Sequence, residues 1–178
     1  NDQVAPLVRS LGLLVKAAAL CNDAELEEND EGEIELLGDP TETALVAAAR
    51  ELGMQKRDLD ARWPRVAEVP FSSSRKMMTT IHEVQVDFDD TDAPWRHAPY
   101  VAFTKGAVDN LLDHIGSVWM GDEAVSVTDE LRERIEDANA SLAENGQRVL
   151  GVAFRPLDSL PEQKKTSEVE QDLTFIGL

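Results

Sequence analysis

No uninterrupted apolar run in this sequence exceeds six residues, the longest being residues 44–49. A membrane-spanning helix needs about 18 or more, so every buried surface must be assembled from short apolar faces that alternate with polar ones. Hydrophobic residues make up 42% of the 178-residue chain, too many for a disordered polymer. The length suits one domain that buries roughly 70% of its unfolded surface. The expectation is therefore a single soluble globular domain over residues 1–178.

Charge narrows the partners. With 35 Asp and Glu against 17 Lys and Arg, the net charge is -18. Nucleic-acid backbones and anionic lipid surfaces both require a basic stripe, and none is visible. The reading is no nucleic acid and no direct membrane insertion. Cys21 is the one cysteine and lies in an apolar stretch, so neither a disulfide framework nor a cysteine-based zinc site can be built. A reducing compartment follows. The chain begins with Asn1, shows no signal segment, and ends in strand-like residues, which reads as a piece of something longer.

Periodicity outlines the elements. Val4, Leu7, Val8, Leu11, Leu14, Val15 and Ala18 recur at helical spacing, predicting a helix over residues 3–21. Residues 23–35 hold eight acidic side chains and no basic one, which predicts a solvated loop leading to a short strand at residues 34–37. Asp39, Pro40 and Glu42 have the spacing of a capped helix start, with Ala44, Leu45, Ala48, Ala49 and Leu52 facing inward and Gly53 closing the helix. Strands are predicted at residues 66–71, 76–86 and 100–104, separated by an acidic loop at 87–99.

Val108, Leu111, Leu112 and Ile115 predict a short helix, Gly121-Asp122 a hairpin turn, and Thr128 the cap of a longer helix. The buried stripe of that helix is read as Leu131, Ile135, Ala138 and Leu142, ending at Asn145-Gly146. Strands at 148–155 and 173–176 finish the chain. Hairpin-length links favour antiparallel pairing, so the fold class is α+β: a twisted antiparallel β-sheet flanked by helices.

Several chemistries are excluded. Gly146 and Gly151 have P-loop spacing, but Val152 and Ala153 follow where Lys and Ser or Thr are required. The run Asp87, Asp89, Asp90 and Asp92 lacks the glycine and terminal glutamate of a calcium loop. His82, His97 and His114 share no metal-ligand spacing. Ser72, Ser73 and Ser74 lack the glycines of a nucleophile elbow. No catalytic residue and no metal site is assigned.

Four segments remain: G-D-P-T-E-T-A-L at residues 38–45, P-F-S-S-S-R-K-M-M at 70–78, T-K-G-A at 104–107 and R-V-L at 148–150. In this order and at these separations they resemble the nucleotide-binding domain of P-type cation-transporting ATPases, on the calcium-pump-like branch. The resemblance implies an antiparallel sheet with flanking helices that binds ATP, with Mg2+ carried by the nucleotide. It implies that Phe71 stacks on adenine, Glu42 reaches the adenine amino edge beside Thr41, and Met78 packs below. Lys105, Gly106 and Ala107 line the pocket, Arg148 and Leu150 close it near the phosphates, and Arg75 and Lys76 add positive potential. Ser73 stands where the family often has an arginine, so that phosphate contact is either missing or supplied by Arg75. Val108 follows K-G-A where the calcium-pump branch commonly has proline.

The residue types fit that use on physical grounds. An aromatic face stacks on a base, a carboxylate accepts from an exocyclic amine, and cations neutralise phosphate. Each also has a plainer role: Glu42 in a capping box, Phe71 in a core, Lys105 at a strand end, Arg148 as a solvated strand start.

The resemblance further implies a cytoplasmic domain of an integral membrane pump. It works with the phosphorylation and actuator domains of the same polypeptide and presents the γ-phosphate to an aspartate of the former. The parent would be an ATP-hydrolysing translocase, while residues 1–178 would bind ATP without hydrolysing it. The alternative is an acidic protein-interaction module that uses residues 23–35 and has kept the fold without the nucleotide.

Overall fold

In the computed structural model the described residues are 4–28, 34–85, 93–161 and 166–178. In chain order the elements are α1 (Val4–Leu20), β1 (Glu25–Glu28), β2 (Ile34–Leu37), α2 (Pro40–Glu51), α3 (Lys56–Arg62), β3 (Arg65–Ser72), β4 (Met77–Glu83), β5 (Tyr100–Gly106), α4 (Val108–Leu112), β6 (Ile115–Met120), β7 (Glu123–Ser126), α5 (Asp129–Glu144), β8 (Gly151–Leu157), α6 (Thr166–Val169) and β9 (Leu173–Gly177). Seven strands form one sheet in the order β3-β4-β5-β8-β9-β6-β7, and β1 and β2 form a separate ribbon. Every pairing is antiparallel except β6 with β9, which is parallel. The class is α+β, as the hairpin-length links predict.

Both faces of the sheet are covered, which explains why β4 and β5 are buried almost throughout. Side chains alternate across a strand. Met78, Val101, Phe103, Val152 and Phe154 join a cluster with Leu13, Ala17, Ala18 and Leu20 of α1, Ala49 of α2 and Leu59 of α3. Met77, Ala153 and Phe175 belong to a second cluster with Val108, Leu111 and Leu112 of α4. Alanines on α1 let that helix lie close to the sheet. Trp95 fills the first layer edge-on to Phe103, with ring centroids 4.9 Å apart, a favoured aromatic geometry.

The structure corrects several local expectations. Residues 25–28, placed in a solvated loop by their acidity, form β1 and pair with β2; residues 29–33 of that stretch lie outside the described residues. In α2 the buried residues are Val46 and Ala49, whereas Ala44, Ala48 and Leu52 are exposed, because only one edge of the helix meets α1 and α3. In α5 Leu131 and Ile135 pack partly on the α4 cluster, but Ala138 and Leu142 are exposed. That helix leans on α4 at its start, where Arg132 Nη2 donates to the Leu112 carbonyl, and none of its residues is fully buried.

Boundaries also move. Ile115 opens β6 rather than closing a helix, and β8 starts at Gly151, so residues 148–150 form no regular strand. Lys76 belongs to a turn and not to β4. In the predicted loop at 87–99, residues 87–92 lie outside the described residues and 93–99 form turns. Neither α3 nor α6 was visible in the apolar pattern. Leu59 is the one buried apolar residue of α3, and its other buried residue, Lys56, pairs with Asp60.

Candidate functional site

The first segment is shaped by its turn. Gly38 has φ +142, and a Cβ there would come 3.0 Å from Ala24 Cα, so the backbone conformation and the close approach both favour glycine. Asp39 then caps α2 by accepting from the Thr41 amide at 2.8 Å, with Pro40 at the first helical position. The carboxyl of Asp39 is lowered below its ordinary value chiefly by that amide bond, then by the Thr41 hydroxyl, with the charge of Arg148 a lesser contribution. Thr41 and Glu42 thereby occupy the half-buried first turn of a helix. Glu42 Oε1 accepts from Lys105 Nζ at 2.5 Å.

Asn22 holds this turn from behind. Although almost fully buried, it donates to the Glu42 carbonyl at 3.0 Å and accepts from the Ala24 amide at 2.8 Å. The sequence reading missed it. Its signal was a polar residue directly after an apolar run, where a buried amide needs partners.

The second and third segments are joined through their backbones. Met78 and Lys105 are paired residues on neighbouring strands, so their side chains share one sheet face. Between Val69↔Thr79 and Ser72↔Met77 the register shifts, which sets Pro70 and Phe71 together opposite Met78 as a bulge. Phe71 remains 61% exposed. The chain turns back through a bond from the Lys76 amide to the Ser72 carbonyl, with Lys76 in the left-handed region at φ 53. The Lys76 carbonyl then accepts from the Ala107 amide at 3.0 Å. A Cβ on Gly106 would come 2.6 Å from that same carbonyl oxygen. Glycine in T-K-G-A is therefore a steric requirement of the adjoining turn.

The fourth segment reaches the first through Arg148, whose Nη1 donates to Thr41 Oγ1 at 3.0 Å. Thr41, Arg148 and Leu150 also line a groove of about 630 Å3 with Leu14, Leu45 and Val149. Glu42, Met78, Phe71 and Lys105 are not among the residues that line this groove. Ser73 and Lys76 are exposed on the turn next to Phe71, and Ala107 caps α4.

Arg75 goes elsewhere. Its guanidinium binds Glu170, which is 1% exposed, and Glu170 also accepts from Thr79. Thr79 follows Met78 and pairs with Thr104, so this cluster occupies the sheet face opposite Met78 and Lys105. Arg75 and Lys105, two of the cations that the resemblance places at the site, are thus matched by carboxylates. Cys21 is fully buried with its thiol raised by burial, and its Sγ donates to the Met78 carbonyl.

The arrangement offers an exposed aromatic face, a carboxylate and ammonium pair, and a guanidinium on a neutral hydroxyl. Comparison with known proteins gives this geometry a context. A family model described as P-type ATPase, cytoplasmic domain N, matches residues 10–178. The chain is 36% identical over 167 residues to "Calcium-transporting ATPase 1" of Lactococcus lactis subsp. lactis (strain IL1403), covering 93% of this chain and 17% of that protein. It is 36% identical over 160 residues to "Calcium-transporting ATPase" of Bacillus subtilis (strain 168), covering 90% and 16%. Against "Sodium/potassium-transporting ATPase subunit alpha-B" of Artemia franciscana, identity is 30% over 171 residues, covering 93% and 16%. The chain spans about a sixth of the length of the curated relatives it matches. Since the family match takes in all four segments as well as the sheet on which they converge, this chain belongs to the cytoplasmic N-domain family of P-type ATPases.

Proposed function

We propose that this domain binds ATP. The observation that carries the reading is convergence: four segments spread from Gly38 to Leu150 meet through Glu42–Lys105, Thr41–Arg148 and the Lys76–Ala107 backbone bond. In this reading adenine stacks on Phe71 above Met78. The second carboxylate oxygen of Glu42 accepts from the adenine amino group, while Lys105 holds the first. Gly106 lets the ligand approach the strand, Leu150 and Ala107 border the cleft, and Arg148 exchanges the Thr41 hydroxyl for phosphate. Lys76 and Ser73, exposed on the adjacent turn, face the phosphate end. Arg75 reaches the ligand only through the turn it braces.

The parent chain is proposed to be a cation-transporting ATPase in a membrane, with this domain on the cytoplasmic side. The names of the bacterial relatives favour calcium as the ion. Mg2+ is taken to arrive on the nucleotide as part of the substrate. The domain's contribution to phosphoryl transfer is positioning: it holds the γ-phosphate toward an aspartate of the phosphorylation domain, with the actuator domain as a further intramolecular partner. Residues 1–178 are proposed to form one domain that binds ATP and does not turn it over.

Calorimetric titration tests this. ATP is expected to bind more tightly than GTP, because the guanine O6 would face the Glu42 carboxylate as a second acceptor. Phosphate release should stay at the buffer rate. Equal affinity for GTP would remove Glu42 from the base edge, absence of ATP binding would refute the reading, and turnover lost on mutating one of this chain's own carboxylates would make it an enzyme by itself.

A further inference from the structure

We infer that Arg75 and Glu170 form a positioning clamp that sets the orientation of Phe71, with Arg75 acting through the backbone and not as a phosphate ligand. The inference rests on the ATP-binding reading for its functional meaning, while the clamp itself is a feature of the unliganded fold.

Arg75 Nη1 donates to both carboxylate oxygens of Glu170, at 2.6 and 2.8 Å, and Nη2 donates to the Pro70 carbonyl at 2.5 Å. One planar guanidinium therefore connects a buried carboxylate to the residue immediately before Phe71. The anchor is held on every side. Thr79 Oγ1 gives its proton to Glu170 at 2.8 Å, and hence accepts from Thr104 at 2.9 Å. The main-chain carbonyl of Glu170 accepts from His114 Nδ1 at 2.6 Å.

Phe71 has the opposite character. At 61% exposure its ring has too little packing to hold it in place. It also lies in a bulge, where ladder hydrogen bonds are interrupted, and Pro70 has no amide hydrogen to contribute. What fixes the ring is the backbone at residues 70–76, and the Arg75 fork is the side-chain bond that ties that backbone to the core. A well-packed apolar pair could fill the same volume without the desolvation cost of two charges. The use of the ion pair is geometric: a lysine could reach one partner, whereas a guanidinium reaches both.

Arg75→Lys, which keeps the charge and loses the fork, and Glu170→Gln, which frees the guanidinium, are the test variants. Each is titrated with ATP and with adenosine, and amide hydrogen exchange is followed in the ligand-free protein. The clamp predicts that Arg75→Lys weakens both ligands by the same factor, about 5- to 30-fold, a part of what full loss of base stacking would cause. Exchange should rise at residues 71–76 while the β4 and β5 amides stay protected. Weakening of ATP with adenosine unaffected, or stronger ATP binding by Glu170→Gln, would make Arg75 a phosphate contact and overturn the proposal. Unchanged affinity for both ligands would also overturn it. If the unmutated protein binds neither ligand, the ATP reading fails separately. Exchange then decides the clamp, which falls if residues 71–76 are as protected in Arg75→Lys as in the parent.

Discussion

Lys105 Nζ lies 2.5 Å from Glu42 Oε1, and both side chains are largely buried, at 8% and 17% exposure. An ion pair placed this deep is costly to break, since removing one partner leaves the other charge without compensation. Glu42→Ala is expected to destabilise the fold by about 3 kcal/mol, the lower end of what such losses cost. The double variant Glu42→Leu with Lys105→Met should recover most of that stability and none of the nucleotide affinity. Urea unfolding and calorimetry on the same samples check both halves. Recovery of ATP binding in the double variant would show that the pair serves stability alone.

Phe71 and Arg148 should divide the ligand between them. Phe71→Ala is expected to weaken ATP and adenosine alike by about 1 to 3 kcal/mol, the value of one stacked base. Because the ring is mostly exposed, the melting temperature should hardly move. Arg148→Ala should weaken ATP much more than adenosine, since only ATP offers phosphate to the guanidinium. Equal losses with adenosine would put Arg148 at the base end of the cleft.

Gly106→Ala tests the steric joint between turn and strand. The new methyl would lie 2.6 Å from the Lys76 carbonyl oxygen and 3.0 Å from Met77 Cα, and backbone atoms cannot swing aside as a side-chain tip can. A loss of about 1 to 3 kcal/mol or more is expected, the usual cost of overpacking. Denaturant melts would show it. A neutral substitution would mean that the β4–β5 register yields more easily than the hydrogen bonds suggest.

His82 makes stability depend on pH. Its Nδ1 lies 2.7 Å from the Trp63 carbonyl, so the proton belongs there, and Nε2 accepts from the Thr80 hydroxyl at 2.9 Å. Burial, partly opposed by that carbonyl bond, lowers its pKa from 6.5 to about 4. The unfolded chain thus binds the proton more readily. The stabilisation is complete above pH 6.5 and falls away as the pH drops toward 4, by on the order of 3 kcal/mol across the window. Asp39, whose carboxyl is also lowered, loses its contribution only as the pH falls below its ordinary value of 3.8, so the two windows separate. Stability measured between pH 7 and 4 should show this slope, and His82→Gln should flatten it.

The start of α2 and the end of β3 were legible because their signals are local. Asp39 and Pro40 announce a helix start, and an aromatic before a polar turn marks the end of a strand. Glu170 was not legible. It lies 95 positions from Arg75, in a charged stretch that reads as surface, and its burial depends on a sheet that only the whole chain builds. For the same reason the pairing of Glu170 with Arg75 could not be read from the sequence. Strand β1 was hidden by its own acidity, because the register that sets Glu27 opposite Glu35 is one that charge repulsion argues against. The stripe on α5 misled in the other direction: helical spacing says where a face is, not whether a neighbour extends far enough to cover it.

The place of β9 in the sheet has a consequence for how the molecule is made. It lies between β8 and β6 and pairs with both, so β9, which follows the other described strands in sequence, joins β3-β4-β5-β8 to the β6–β7 hairpin. During synthesis the two halves of the sheet are both on hand well before residue 173 emerges, and neither can be fastened to the other. Closing them requires contacts distant in sequence, which are slow to form. An exposed edge on β8 and another on β6 therefore persist until translation reaches β9, and this interval is when the nascent domain is most open to pairing with a foreign strand.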